Sequence, residues 1–197
     1  ISDALDVYAG SNFSCALRGP SGARFVTCWG YNAQGQCGYG VTTPSSVATP
    51  GASVMGLPAD VVVLAHGTGT GICSWTSSGH VYCWGYNSGG YQLGLGITSS
   101  PAIATLMPGM TGVVDVVLGT DAGCLRRTGA TAGAYEVWCW GEWLASGTFW
   151  INETTRAATT PRRAGTAAVP IDDAVAIAVA GPTNDHTWCA VRASAIA

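Results

Sequence analysis

The sequence contains no lysine; all eight of its basic residues are arginine. Charged residues make up only 10% of the 197-residue chain, against roughly 25% in an average soluble protein. With eleven acids the net charge is −3, so a nucleic-acid surface made of clustered positive charge is not expected. No apolar stretch approaches the ~20 residues that a membrane-spanning helix needs. The richest run, Ala174 to Ala180, is far shorter. Hydrophobic residues reach 48%, which with so little charge excludes intrinsic disorder. Three histidines and eleven acids leave little for catalysis. There is no G-x-S-x-G element for a nucleophile and no C-x₂-C spacing for zinc.

What the chain does have is repetition. Val26-Thr27-Cys28-Trp29-Gly30-Tyr31-Asn32 returns as Val81-Tyr82-Cys83-Trp84-Gly85-Tyr86-Asn87, and in degraded form as Val137-Trp138-Cys139-Trp140-Gly141-Glu142-Trp143. The copies lie 55 and 56 residues apart. Upstream of each stands another cysteine, Cys15, Cys73 or Cys124, and Cys189 opens a fourth copy. Each of these four comes after a short apolar run ending in glycine: Val7–Gly10, Val63–Gly67, Val116–Gly119 and Ile177–Gly181. A period of this size signals stacked supersecondary units.

Each unit reads as β. Asp60 to Ala65 is β-branched and short, Ile72 to Trp75 a second strand, Thr76-Ser77-Ser78-Gly79 a turn, and His80 to Trp84 the returning arm. With 28 glycines, helical periodicity is absent nearly everywhere. The expected fold class is all-β, with units at about 4–59, 60–113, 114–172 and an incomplete 173–197 within a single domain, 1–197.

The strings Cys-Trp-Gly-Tyr-Asn with Gln92-Leu93-Gly94-Leu95-Gly96, and with Gly35-Gln36-Cys37-Gly38-Tyr39-Gly40 in the first copy, resemble the repeat of the regulator of chromosome condensation family. The resemblance implies a β-propeller whose blades are four-stranded sheets, with three full blades here and part of a fourth. It weakens in the third copy, where Glu142 to Gly147 lose the Asn and Gln-Leu-Gly pattern. Looser likeness extends to secreted propeller inhibitors and to the ectodomains of crinkly-type plant receptor kinases, both protein binders. The founding member's nucleotide-exchange and chromatin role is disfavoured by the lack of lysine and by the cysteine pairs. Three blades and a half do not close such a ring. The unfinished fourth copy therefore reads as part of a longer polypeptide, or as one to be completed by a second chain.

The cysteine pairs Cys15–Cys28, Cys73–Cys83 and Cys124–Cys139 are 13, 10 and 15 positions apart, each flanking a hairpin turn. Cross-strand partners stand about 4.5–5.5 Å apart, which suits a disulfide. One bridge per blade implies an oxidising compartment, hence an extracellular or cell-surface protein. The competing reading is buried free thiols in a cytosolic propeller. Cys37 and Cys189 have no such hairpin partner. Cys37 takes the place of Leu93 as core filler, and Cys189 is a candidate partner for Cys37 or for another chain.

Asn12-Phe13-Ser14 and Asn152-Glu153-Thr154 fit the N-glycosylation pattern. Gly67-Thr68-Gly69-Thr70-Gly71 would need to open a helix to cradle phosphate; Ile72 to Trp75 reads as a strand instead, so a turn is expected. Asp172 and Asp173, adjacent on a strand, point to opposite faces and cannot act as a catalytic pair. His66, His80 and His186 stand beside no nucleophile. Trp29, Trp84 and Trp140 recur in register and are expected in blade cores. Trp143 and Trp150 fall out of register and are candidate binding aromatics. The expected function is therefore non-enzymatic: an extracellular protein-binding or structural propeller module, as a subunit or domain of a cell-surface assembly. It carries no cofactor or metal, binds no nucleic acid and does not insert into membranes. The alternative is a carbohydrate-binding propeller that recognises glycans.

Overall fold

A computed structural model describes residues 1–67, 69–87, 91–142, 157–165, 171–180 and 187–192. Among them there is no α-helix. The first sheet runs in the order β1 (Ala4–Ala9), β2 (Phe13–Arg18), β3 (Phe25–Tyr31) and β4 (Ser46–Val47). The second contains β5 (Val61–Leu64), β7 (Gly71–Thr76), β8 (Val81–Gly85) and β9 (Thr105–Leu106). The third contains β10 (Val113–Leu118), β11 (Ala122–Thr128), β12 (Tyr135–Glu142) and β13 (Ala157–Arg163). β14 (Ala174–Ala180) and β15 (Thr187–Arg192) form a fourth, two-stranded sheet. Three up-and-down sets of four antiparallel strands, and then the start of another, make the β-propeller arrangement that the repeat implies.

The local sequence explains the strands. β5 is Val-Val-Val-Leu, whose branched side chains suit a pleated, buried surface. The first strand of every sheet carries the same irregularity, with the register slipping between Ala4 and Asp6, Val61 and Val63, Val113 and Asp115, and Ala174 and Ala176. A bulge repeated at one place in four units bends each first strand alike. Between Gly67 and Gly71, where the sequence predicts a plain turn, the chain does more. β6 (His66–Gly67) leaves the second sheet and pairs in parallel with β10 of the third.

The hydrophobic cores lie between sheets rather than within one. Tyr8, Phe13, Leu17 and Val26 of the first sheet pack with Val61, Leu64, Ile72 and Trp84 of the second. Val81, Leu93 and Met107 pack with Val116, Leu125 and Trp140 of the third. Val117, Val137 and Ala164 pack with Ala174 and Ile177 of the fourth. Each blade thus completes its core only on its neighbour, the condition that makes stacked repeats mutually dependent.

Candidate functional site

The recurring motif residues build the joints between blades. Asn32 closes the loop after β3. Its Oδ1 accepts from the Cys37 amide at 3.0 Å, and its Nδ2 donates to the Val41 and Pro44 carbonyls. Asn87 repeats the arrangement with the Leu93 amide and the Ile97 and Ser99 carbonyls. The loop so held offers a backbone carbonyl to the next blade. Trp84 Nε1 donates to Gln36 O at 3.0 Å, and Trp140 Nε1 to Gln92 O at 2.8 Å. Each tryptophan lies against the loop's glycine. A Cβ on Gly94 would fall 2.8 Å from the Trp140 ring, and Gly94 also has φ +66°, a conformation that only glycine takes freely. Gly38, at φ +71°, is more loosely placed: a Cβ there would fall 3.1 Å from Trp84 Nε1 and 2.7 Å from Val54. The Asn, Gly-Gln-x-Gly and Trp of the repeat are thus one interlocking device, acting across blades at a constant separation of 48 residues.

Trp84 and Trp140 are fully buried. Trp29 is only half-buried, which corrects the expectation that all three fill blade cores. The difference is physical: Trp84 and Trp140 are covered by the loop of the preceding blade, and no described residue supplies that loop to Trp29.

The cysteine bridges sit in the same joints. Cys15–Cys28, Cys73–Cys83 and Cys124–Cys139 are directly opposed cross-strand partners bonded through sulfur, with Cα atoms 4.0, 4.1 and 4.1 Å apart. Each belongs to the core shared with the next blade. Cys37 is a buried free thiol, so the pairing of Cys37 with Cys189 is not realised. Cys37 lies in the core between the first two sheets whereas Cys189 is on β15. Burial pushes the Cys37 thiol up to about 11. The side chain of Cys189 lies outside the described residues.

Polar ties reinforce the joints. Tyr8 Oη sits 3.1 Å from the carbonyls of both Gly69 and Gly71, and burial raises its pKa well above the usual phenolic range. Asp6 accepts from the Leu64 amide. Arg24 donates to the Val61 and Val62 carbonyls, and Arg126 to that of Ala174.

Two adjacent arginine pairs, far apart in sequence, meet on the third sheet. Arg126 and Arg127 on β11 and Arg162 and Arg163 on β13 flank β12. This local gathering of positive charge is not apparent from the sparse charge of the chain, because strand pairing creates it. Glu136 answers it from β12: the buried carboxylate stands 3.3 Å from Arg127 and from Arg163 and accepts from Trp138 Nε1 at 3.0 Å. Asp173 pairs with Arg192, and His80 Nδ1 with Ser78 Oγ.

Between the first two blades the surface opens into a cavity of about 180 Å³. Its lining includes Asn12, Tyr31, Gln34, Gln36, Thr70 and Tyr86, and carries no charged side chain. Tyr31 and Tyr86 are the tyrosines of the first two Cys-Trp-Gly-Tyr-Asn copies. Sequence reasoning missed them as a pair, although their shared repeat position on adjacent blades was a usable signal. Asn12 is exposed at the rim. Trp143, Trp150, Asn152 and His186 lie outside the described residues. Among the described residues no group of three His, Cys, Asp or Glu is disposed to hold a metal, and no helix is long and apolar enough to cross a membrane.

No protein-family model and no curated protein matches the chain. Solved structures do. Human WBSCR16 superposes with a TM-score of 0.71 at 22% identity, covering 96% of this chain and 45% of that one. Yeast RCC1 (Prp20) bound to Kap60 gives 0.68 at 16% identity, covering 98% and 43%. Prp20p from Saccharomyces cerevisiae, described with its binding properties to Gsp1p and histones, gives 0.70 at 17%, covering 98% and 45%. The chain therefore spans less than half the length of the structures it matches. Joints, blade order and superposition agree that this chain has the RCC1-type β-propeller fold.

Proposed function

We propose that the protein is a non-enzymatic, extracellular protein-binding propeller module, organised in units at about 4–59, 60–113, 114–172 and 173–197. The observation that carries this reading is the rigid platform. Every described joint combines a shared apolar core with a cross-strand disulfide, and two of them add the tryptophan-to-carbonyl latch. Rigid scaffolds with variable loops suit recognition. Large apolar side chains stand exposed on that platform, among them Ile103, Leu106 and Met55. The yeast propeller of this fold binds protein: it is the one seen with Kap60 and characterised with Gsp1p and histones. Disulfides at three equivalent places favour a secretory route over histone or nuclear partners. On that route Asn12 and Asn152 become candidate glycosylation sites, and Trp143 and Trp150 candidate contact aromatics.

The test is a tetramerised preparation screened against an array of extracellular protein domains. A partner whose binding weakens about tenfold or more, as a lost hot spot does, in Ile103→Ala/Leu106→Ala or in Trp143→Ala would support the reading. An array without binders, or binders indifferent to all of these changes, would overturn it. Peptide mass spectra of secreted material, with and without reduction, test the compartment: free thiols at all three pairs would remove the extracellular part of the proposal.

A further inference from the structure

We propose that the cavity between the first two blades is a binding site for a single neutral sugar ring. The argument begins with a comparison of two equivalent joints. Strand register matches Asn12, Thr70 and Asp121, each one residue before the position opposite the glycine of Trp-Gly. At the second joint Gln92 Nε2 donates to Asp121 Oδ1 at 3.0 Å, tying the loop of one blade to the next. At the first joint the corresponding residues are Gln36 and Thr70, and that tie is not made. Gln36 Oε1 accepts from the Gln34 amide instead. Thr70 lines the cavity, and its Oγ1, which lies just beneath the cavity surface, has no hydrogen-bond partner among the described residues; at the second joint it is Gln92 Oε1 that has none. What distinguishes the first joint is that its side of the seam is left open, with the loop and Thr70 untied, where the second is closed by Gln92 and Asp121.

The rest of the lining indicates which group. Two tyrosines, Tyr31 and Tyr86, line the cavity together with Asn12 and Gln34, residue types that offer an aromatic face and amides able both to donate and to accept. A neutral lining gives nothing to a phosphate or carboxylate, which would lose its hydration without an opposing charge. A sugar ring presents apolar C–H faces to aromatics and hydroxyls that both donate and accept, and matches this set. The volume, about 180 Å³, is below the ~300–1,000 Å³ of sites for drug-sized ligands and fits one ring rather than a chain. The equivalent cleft of the second joint cannot serve, because Glu142 stands there in place of the second tyrosine and Asp121 is already engaged.

The experiment is saturation-transfer NMR with free methyl glycosides of neutral hexoses and N-acetylhexosamines, titrated to ~50 mM, well beyond the millimolar range. At least one glycoside is expected to receive transfer. Thr70→Asp, which supplies the carboxylate that closes the second joint, should reduce its affinity tenfold or more without loss of thermal stability. Tyr86→Ala should do the same by removing a wall. Val191→Ala on β15, outside the site, should change nothing. If Thr70→Asp does not fold, Thr70→Val, which removes only the hydroxyl, takes its place. Absence of transfer to every glycoside would overturn the proposal, as would transfer that persists unchanged in the Thr70 and Tyr86 variants. Binding of short peptides in the cavity, with no glycoside bound, would reassign it to a partner's side chain and equally overturn it. Because the probes are free glycosides, the outcome is independent of the array screen for protein partners.

Discussion

Single residues carry much of this fold because the repeat places them where two blades meet. Asn87 satisfies one amide and two carbonyls with one side chain. Asn87→Ala should therefore cost about 3 kcal/mol, at ~1 kcal/mol per hydrogen bond, read as a lowered denaturant midpoint with the slope unchanged. Cys37 gives a pH-dependent expectation. Its thiol rises from 9.0 to about 11 on folding because burial disfavours the thiolate. The folded state holds this proton more tightly, so the stabilisation is whole below the unfolded value and disappears as pH rises through the folded one. Stability should fall between about pH 9 and 11, by roughly 1.4 kcal/mol per pH unit at most. Cys37→Ala should make the decline between about pH 9 and 10 shallower in denaturation curves, the steeper part above pH 10 being shared with buried Tyr8, whose phenol is also raised by burial. At pH 8 the Cys37 peptide should resist alkylation until the protein is unfolded, since the thiolate is the reactive form.

At the scale of the element, the hairpin between the second and third strands is the unit that recurs most faithfully, and its disulfide is the main covalent brace. Loops of 10 to 15 residues imply about 3 kcal/mol per bridge by chain entropy. Cys73→Ala/Cys83→Ala should lower stability by about that amount, measured by equilibrium unfolding without reductant. It should also loosen the core around Leu93 and Trp140, which share the bridge's cluster. The hairpins were legible in the sequence, since apolar pairs, turn residues and opposed cysteines are local signals. β6 was not. Its two residues are held by pairing with β10, about fifty positions further on, and no local preference announces such a partner.

For the whole molecule, coupling between blades decides behaviour. Trp140→Phe removes the bond to the Gln92 carbonyl and leaves that buried acceptor short of a partner. A loss of about 1–3 kcal/mol is expected. Trp29→Phe removes no described bond and should cost under ~0.5 kcal/mol. Parallel chemical denaturation of the two variants tests whether the latch, rather than tryptophan burial alone, joins the blades; equal losses would refute it. The half-buried state of Trp29 could not be read from sequence, where the three tryptophans are indistinguishable. Burial depends on which neighbour stands against the residue, and that is a property of position in the stack.

The sequence by itself determined the repeat, its β character, the blade period and the places of the paired cysteines. Those features depend on local periodicity, turn chemistry and residue spacing, all written along one strand or one hairpin. Only the tertiary structure decided that the Asn, Gly-Gln-x-Gly and Trp elements act on one another across 48 residues. It alone brought Arg127 and Arg163 to Glu136 and left Thr70 without the tie that Asp121 makes one blade later. Hydrogen bonds between blades depend on positions in space set by the packing of whole sheets. Near-identical repeat strings can therefore end in a closed joint at one place and an open cavity at the next.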